Sequence, residues 1–171
     1  MENNMEKSYS DLLFAIENEI SSKFIFSIVL SALLGFFLIG MFLFSKNKKE
    51  ALWLIVTISI VFVIAIAYSV WIGITKSDIQ NDIDNDCLIS YTGEFSFSKA
   101  SQSNPEYHSI KITESDGSTI TLKLYHNDKL KEKFPLLGDY SSLANGNYCG
   151  EIQYAPNSKI VLVIENLTPI K

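Results

Sequence analysis

Arginine is missing from this chain. All of its basic side chains are lysines, and acids outnumber them for a net charge of −5. Without the planar guanidinium fork, bidentate recognition of phosphate or carboxylate is disfavoured. The acidic balance likewise speaks against nucleic acid as a partner, because binders of DNA or RNA carry a basic surface. There are only two cysteines and two histidines. Cys87 and Cys149 are too far apart and too unaccompanied for a zinc site, and His108 and His126 stand in no metal-ligand spacing. With few glycines, the chain contains neither a phosphate-binding loop nor a dinucleotide fingerprint, and no G-x-S-x-G elbow occurs. No catalytic residue, metal or cofactor is therefore assigned, and the chain is read as non-enzymatic.

The most telling absence is local. Phe24–Phe44 and Ala51–Ile74 contain no charged residue, and only Ser45–Glu50 separates them. A helix needs about 20 apolar residues to cross the hydrocarbon of a bilayer, and each stretch is that long. The first is too long for the apolar region of a signal peptide. Trp53 at one end of the second stretch, and Tyr68 and Trp71 near the other, are the aromatics expected at membrane interfaces. A membrane hairpin over 24–75, with spans 24–44 and 51–74, follows. Lys46, Lys48 and Lys49 cluster in the connection and favour a cytoplasmic loop, which puts both termini outside. The location is then the cytoplasmic (inner) membrane of a bacterium, multi-pass, with the C-terminal domain extracytoplasmic. The bacterial source is a compositional reading from the abundance of Lys, Ile, Asn and Ser. Ser27, Ser31 and Gly35 in the first span, and Ala65, Ser69 and Gly73 in the second, recur every fourth residue. Such stripes of small residues let helix backbones approach closely, within the hairpin or against another subunit. Neither span carries an ionisable side chain of the kind that transporters use.

Residues 1–23 form an amphipathic N-terminal tail with Tyr9, Leu12, Leu13, Ile16 and Ile20 on one helical face. Two readings fit it: an interfacial helix, or a continuation of the first span packing on the C-terminal domain. Residues 76–86 read as a polar stalk. Asp82, Asp84 and Asp86 fit the first positions of a calcium loop, but Cys87 and Gly93 stand where Gly and Glu are required, so a solvated acidic linker is expected.

From Cys87 the apolar period changes to two. A long strand broken by Gly93 is followed by a hairpin, Tyr107–Glu114 and Ser118–Tyr125, around Ser115-Asp116-Gly117. A short helix, Asp128–Phe134, then precedes strands at Tyr148–Tyr154 and Lys159–Glu165. The order β-β-β-α-β-β over 87–171 predicts a small all-β domain, an OB-like five-stranded barrel with one short helix. Membrane helices followed by a small β-barrel are similar, in architecture alone, to NfeD-type membrane proteins, and no motif carries residues across. Cys87 and Cys149 fall on strands that neighbour one another in that topology, which predicts a disulfide between them. His108 and His126 are placed at opposite ends of the hairpin. The outward face of its two strands, with Tyr107, Lys111, Lys123 and Tyr125, is the candidate partner-binding surface. Two functions fit. One is an accessory or immunity-type membrane protein whose β-domain binds a protein partner. The other is a self-associating, membrane-disrupting or pore-forming effector with the β-domain as sensor. The expected partners are the lipid bilayer and a protein or a homo-oligomer.

Overall fold

The structure, a computed structural model, describes residues 2–44, 48–101, 106–114, 116–126, 140 and 143–170. The Asn104-Pro105 turn, the helix expected at Asp128–Phe134 and most of the loop after it lie outside the described residues.

Two helices open the chain, α1 (Glu2–Phe44) and α2 (Lys48–Asn85). They are 43 and 38 residues long. At 1.5 Å per residue each is about twice the thickness of a hydrocarbon core, ~30 Å. Both are long and apolar enough to span a membrane. The amphipathic tail is not a separate element but the first turns of α1. Tyr9, Leu12, Leu13, Ile16 and Ile20 are buried, as their spacing requires. The polar segment after the second apolar stretch also stays helical, through Asn85, where Asp86 (φ 45°) turns the chain out.

Five strands follow: β1 (Ile89–Ser98), β2 (Tyr107–Thr113), β3 (Thr119–Tyr125), β4 (Gly146–Tyr154) and β5 (Val161–Pro169). They make one antiparallel sheet in the order β3-β2-β1-β4-β5. The sheet is not closed into a barrel. β3 and β5 meet at one parallel bridge, Lys123 with Ile160, where the Lys123 N–H donates to the Lys159 carbonyl at 2.8 Å. The two-residue period sorts the side chains as expected. Phe95, Phe97, Ile110, Ile112, Leu122, Leu124, Tyr148, Ile152 and Tyr154 fill the core with Val161 and Ile164. The β2–β3 hairpin pairs Ile110 with Leu122 and Ile112 with Ile120. Its turn is locked by Glu114 N–H to Ser118 O (2.8 Å) and by Ser118 N–H to Asp116 Oδ1 (2.8 Å), with Gly117 at φ 85°.

Gly93 does not bulge β1. The β1–β4 register runs unbroken through it and sets it opposite Gly150. β1 pairs with β2 only from Phe95 onward, so the glycine marks where the strand leaves one neighbour. The irregularities lie on the other side of β4, where the register with β5 shifts between Cys149 and Glu151 and again between Gln153 and Tyr154. A Cβ at Gly150 would stand 2.8 Å from the Glu165 carbonyl oxygen. Only glycine allows that approach.

The chain divides into two compact units. One comprises the sheet with residues 1–15 and 78–171, and the other is Ile16–Ser77. In the second unit the apolar parts of α1 and α2 run antiparallel. Gly73 receives the ring of Phe24, Gly35 that of Phe62, and the Ser31 and Ser69 hydroxyls lie 3.5 Å apart. The outward apolar side chains are uncovered by any described residue: Phe36 is 74% exposed and Trp53 81%. A core helix of a soluble protein would show the reverse.

Candidate functional site

The candidate surface is the face of β2 and β3 turned away from the core. Odd-numbered residues of both strands point there, because the even-numbered His108, Ile110, Ile112, Leu122 and Leu124 point inward and are buried. Tyr107 and Tyr125 are cross-strand partners with ring centroids 5.8 Å apart. Lys111, opposite Thr121, is exposed. The tyrosine pair and Lys111 share one face of the paired strands, with the Ser109–Lys123 pair between them. Lys123 departs from the expectation. It is only partly accessible, and desolvation holds its ammonium below the ordinary lysine value, with the nearby Asp78 carboxylate opposing the shift. The bridge to β5 covers part of this stretch of β3, and Lys123 is left partly accessible, as Tyr107 and Tyr125 are.

The two histidines do not sit at opposite ends of the hairpin. Tyr107 pairs with Tyr125 at its open end, so His108 and His126 come together there. Their rings stack at 4.6 Å with a 20° interplanar angle, and His108 also meets Phe97 at 5.2 Å. The Ala100 N–H donates to His108 Nδ1 at 2.9 Å. That nitrogen is therefore an acceptor, and the ring's other nitrogen carries the proton. An imidazole fixed in this way by a backbone amide is an aromatic core group that tethers the end of β1 to β2. His126 Nε2 is buried and has no hydrogen-bond partner among the described residues.

The cysteines are not brought together. Cys149 stands opposite Glu94, while Cys87 precedes β1, whose first residue already pairs with Tyr154. Seven residues of extended chain between Cys87 and Glu94 amount to about 20 Å at ~3.3 Å per residue. A disulfide needs Cα atoms within about 7 Å. Both thiols are free, Cys87 exposed and Cys149 half-buried. The two strands are neighbours, but Cys87 lies before β1 rather than on it, and the register separates the pair.

The acidic segment holds the residue that sequence reasoning missed. Asp82 was expected in a solvated stalk, yet it is only 2% exposed. Its carboxylate accepts three hydrogen bonds from the β4–β5 turn: Asn157 N–H at 2.9 Å, Asn157 Nδ2 at 2.8 Å and Ser158 N–H at 2.7 Å. The Asn157 and Ser158 amides of the turn are thereby capped, and the end of α2 is fastened to the sheet. The available signal was Ile79 and Asp82, three apart on one helical face, with Ile79 fully buried as well. Among the described residues no group of three or more His, Cys, Asp or Glu could hold a metal ion.

The small residues of the two stripes make the following contacts. Besides the Ser31–Ser69 and glycine contacts, Ser27 is buried and donates to the Phe24 carbonyl at 2.8 Å, and Ser69 donates to that of Ala65 at 2.9 Å. Above them Lys76 pairs with Glu17 at 3.4 Å, and Ser21 donates to the same carboxylate at 2.8 Å. No protein-family model, no curated protein and no solved structure matches this chain, so the architectural likeness to NfeD-type membrane proteins has no sequence or structural match behind it.

Proposed function

We propose that this is a non-enzymatic integral membrane protein whose small β-domain binds a protein partner, in an accessory or immunity-type role. The observation that carries the reading is the Tyr107–Tyr125–Lys111 patch, held on two fully paired strands. Tyrosine presents a large contact area with few rotors to freeze, and suits a protein surface better than a small-molecule pocket. The sheet order, with its single β3–β5 bridge, supports an OB-like barrel left partly open at that seam. In this reading α1 and α2 cross the cytoplasmic membrane, the lysine-rich connection stays in the cytoplasm, and the β-domain lies outside. Glu17 and Lys76 then mark the depth at which charge becomes tolerable, since a paired charge at an interface avoids the cost of the bilayer centre.

The test is purification of a tagged full-length copy from native membranes, beside a Tyr107→Ala/Lys111→Ala/Tyr125→Ala variant of unchanged circular dichroism. A stoichiometric protein that co-purifies with the first and not the second is the expected result. Recovery of lipid and homo-oligomer alone would refute the reading.

A second reading, the self-associating membrane-disrupting effector, draws on one feature of the hairpin. An open apolar recess of about 290 Å³ lies along it, lined by Ser31, Gly35, Phe36, Ile39, Phe62 and Ile66. This reading predicts depolarisation on overexpression, abolished by Gly35→Leu.

A further inference from the structure

The β3 edge of the sheet leaves two residues' worth of main chain unpaired. Backbone groups of an antiparallel strand point alternately toward and away from its neighbour. Along the hairpin Glu114 N–H donates to the Ser118 carbonyl and His126 N–H to that of Glu106. The inward-bonding residues of β3 are therefore Ile120, Leu122 and Leu124. Thr119, Thr121 and Lys123 point away from β2, as the Lys123 N–H bond to Lys159 shows directly. Lys123 is taken up by β5, and on the other side Gly117 N–H is spent on the Glu114 carbonyl at 3.0 Å. Between these stops, the N–H and C=O groups of Thr119 and Thr121 have no partner among the described residues, and both side chains are exposed. No lysine or proline blunts this short window, although natural sheets commonly protect an edge that way.

We propose that this window pairs with the same window of a second copy of the chain, β3 against β3 in antiparallel register about a two-fold axis at Ile120. The register follows from the stops. A two-fold axis at Thr121 would need the main chain of Lys123, which β5 already holds. With the axis at Ile120, Thr119 of each copy faces Thr121 of the other, and the two outward donors and two outward acceptors of each window find mates. An isologous contact of this kind is self-complementary by construction. Charge agrees with it, because antiparallel pairing brings the exposed acidic turn of each copy, Glu114 and Asp116, toward the partly accessible Lys123 of the other. The contact is small, and confinement of both copies to one membrane supplies the effective concentration that a few hydrogen bonds alone lack. The pairing does not rest on the Tyr107–Tyr125 patch and leaves it free.

Directly opposite residues lie about 5.5 Å apart at Cα, within disulfide reach, whereas diagonal ones lie at about 7–8 Å. Full-length chains carrying Cys87→Ser and Cys149→Ser receive either Thr119→Cys or Thr121→Cys, and are oxidised in native membranes singly and co-expressed. The co-expressed pair is expected to give a covalent dimer and each single variant little or none. A further Thr121→Pro change in a Thr119→Cys chain serves as a monomer control. It removes only an outward N–H, keeps the β2 ladder and is expected to lower the native dimer seen by non-covalent mass measurement. Equal cross-linking in all three samples, or none in the pair, would overturn the proposal. So would a dimer that survives Thr121→Pro and is lost with Gly35→Leu, which would assign association to the helices.

Discussion

Asp82 is the residue on which the helical and β parts of one compact unit are joined. Three N–H donors converge on a carboxylate that is almost wholly out of water. Hydrogen bonds to a charged group are each worth about 1.5–3 kcal/mol, and donors left orphaned in a buried site carry a further cost. Asp82→Ala should therefore destabilise the protein by about 2–4 kcal/mol, a loss read as a lower thermal midpoint in detergent. Asp82→Asn keeps one acceptor oxygen and should recover part of it. Equal midpoints for wild type and Asp82→Ala would show that the contact contributes nothing. Lys123 supplies a test of opposite character. Its folded-state value lies below that of the unfolded chain because burial disfavours the ammonium. Between the two values the unfolded chain binds more protons, so wild-type stability rises with pH in that window, toward the ordinary lysine value. Lys123→Met removes the titrating group. The variant is expected to be the more stable near neutral pH, and its advantage should shrink as pH climbs toward about 10.5. Tyr140 and Tyr154, both pushed up by burial, act with the contrary sign above about pH 10 and are common to both chains. A constant gap across the range would refute the assignment.

At the scale of elements, what could be read in advance was whatever a short window encodes. The alternation from Tyr91 to Phe97, the Asp116-Gly117 turn and the inward set Tyr148, Gly150, Ile152 and Tyr154 are local patterns, and the structure keeps them, whereas Ile89 at the start of β1 is exposed. The three- and four-residue spacing of Tyr9, Leu12 and Ile16 placed the right face of α1 inward without saying what it would meet. Long-range pairings were out of reach. Nothing near Asp82 indicates that Asn157 and Ser158, some 75 residues later, will offer it their amides. The cysteines illustrate the same limit: adjacent strands were foreseeable, but the position along them depends on the complete register. Of the candidate surface, the tyrosine pair was legible from strand parity, while the covering of Lys123 required knowledge of the β3–β5 seam. Gly150 tests the element-level account. Its alanine variant drives a Cβ into the Glu165 carbonyl, and rigid backbone gives way poorly, so about 1–3 kcal/mol of destabilisation is expected. Gly146→Ala serves as a control, because its nearest neighbour is a tyrosine ring edge at 3.9 Å, ordinary contact. If both alanine variants melt together with wild type, the close approach at the bulge is not a constraint.

For the whole molecule, the decisive property is that a hairpin with bare apolar sides is continuous, through α1 and α2, with a sheet that has an ordinary buried core. Free thiols at two different exposures make this arrangement measurable. Cys87, just past the end of α2, is exposed, and Cys149 on β4 is half-buried. If the β-domain lies outside the cell, a membrane-impermeant maleimide applied to intact cells should modify Cys87 quickly and Cys149 more slowly, with no need for prior reduction. Permeabilisation should then add no further Cys87 labelling. If the lysine-rich connection is instead outside, both thiols should stay protected until the membrane is opened. Introducing Ser31→Cys and Ser69→Cys into a Cys87→Ser/Cys149→Ser chain completes the test from within the hairpin. Their hydroxyls are 3.5 Å apart, so oxidation should join them within one chain and leave the mobility of a monomer. Cross-linking between chains instead would mean that the stripes pack against a neighbour, and the hairpin would then be an assembly element in its own right.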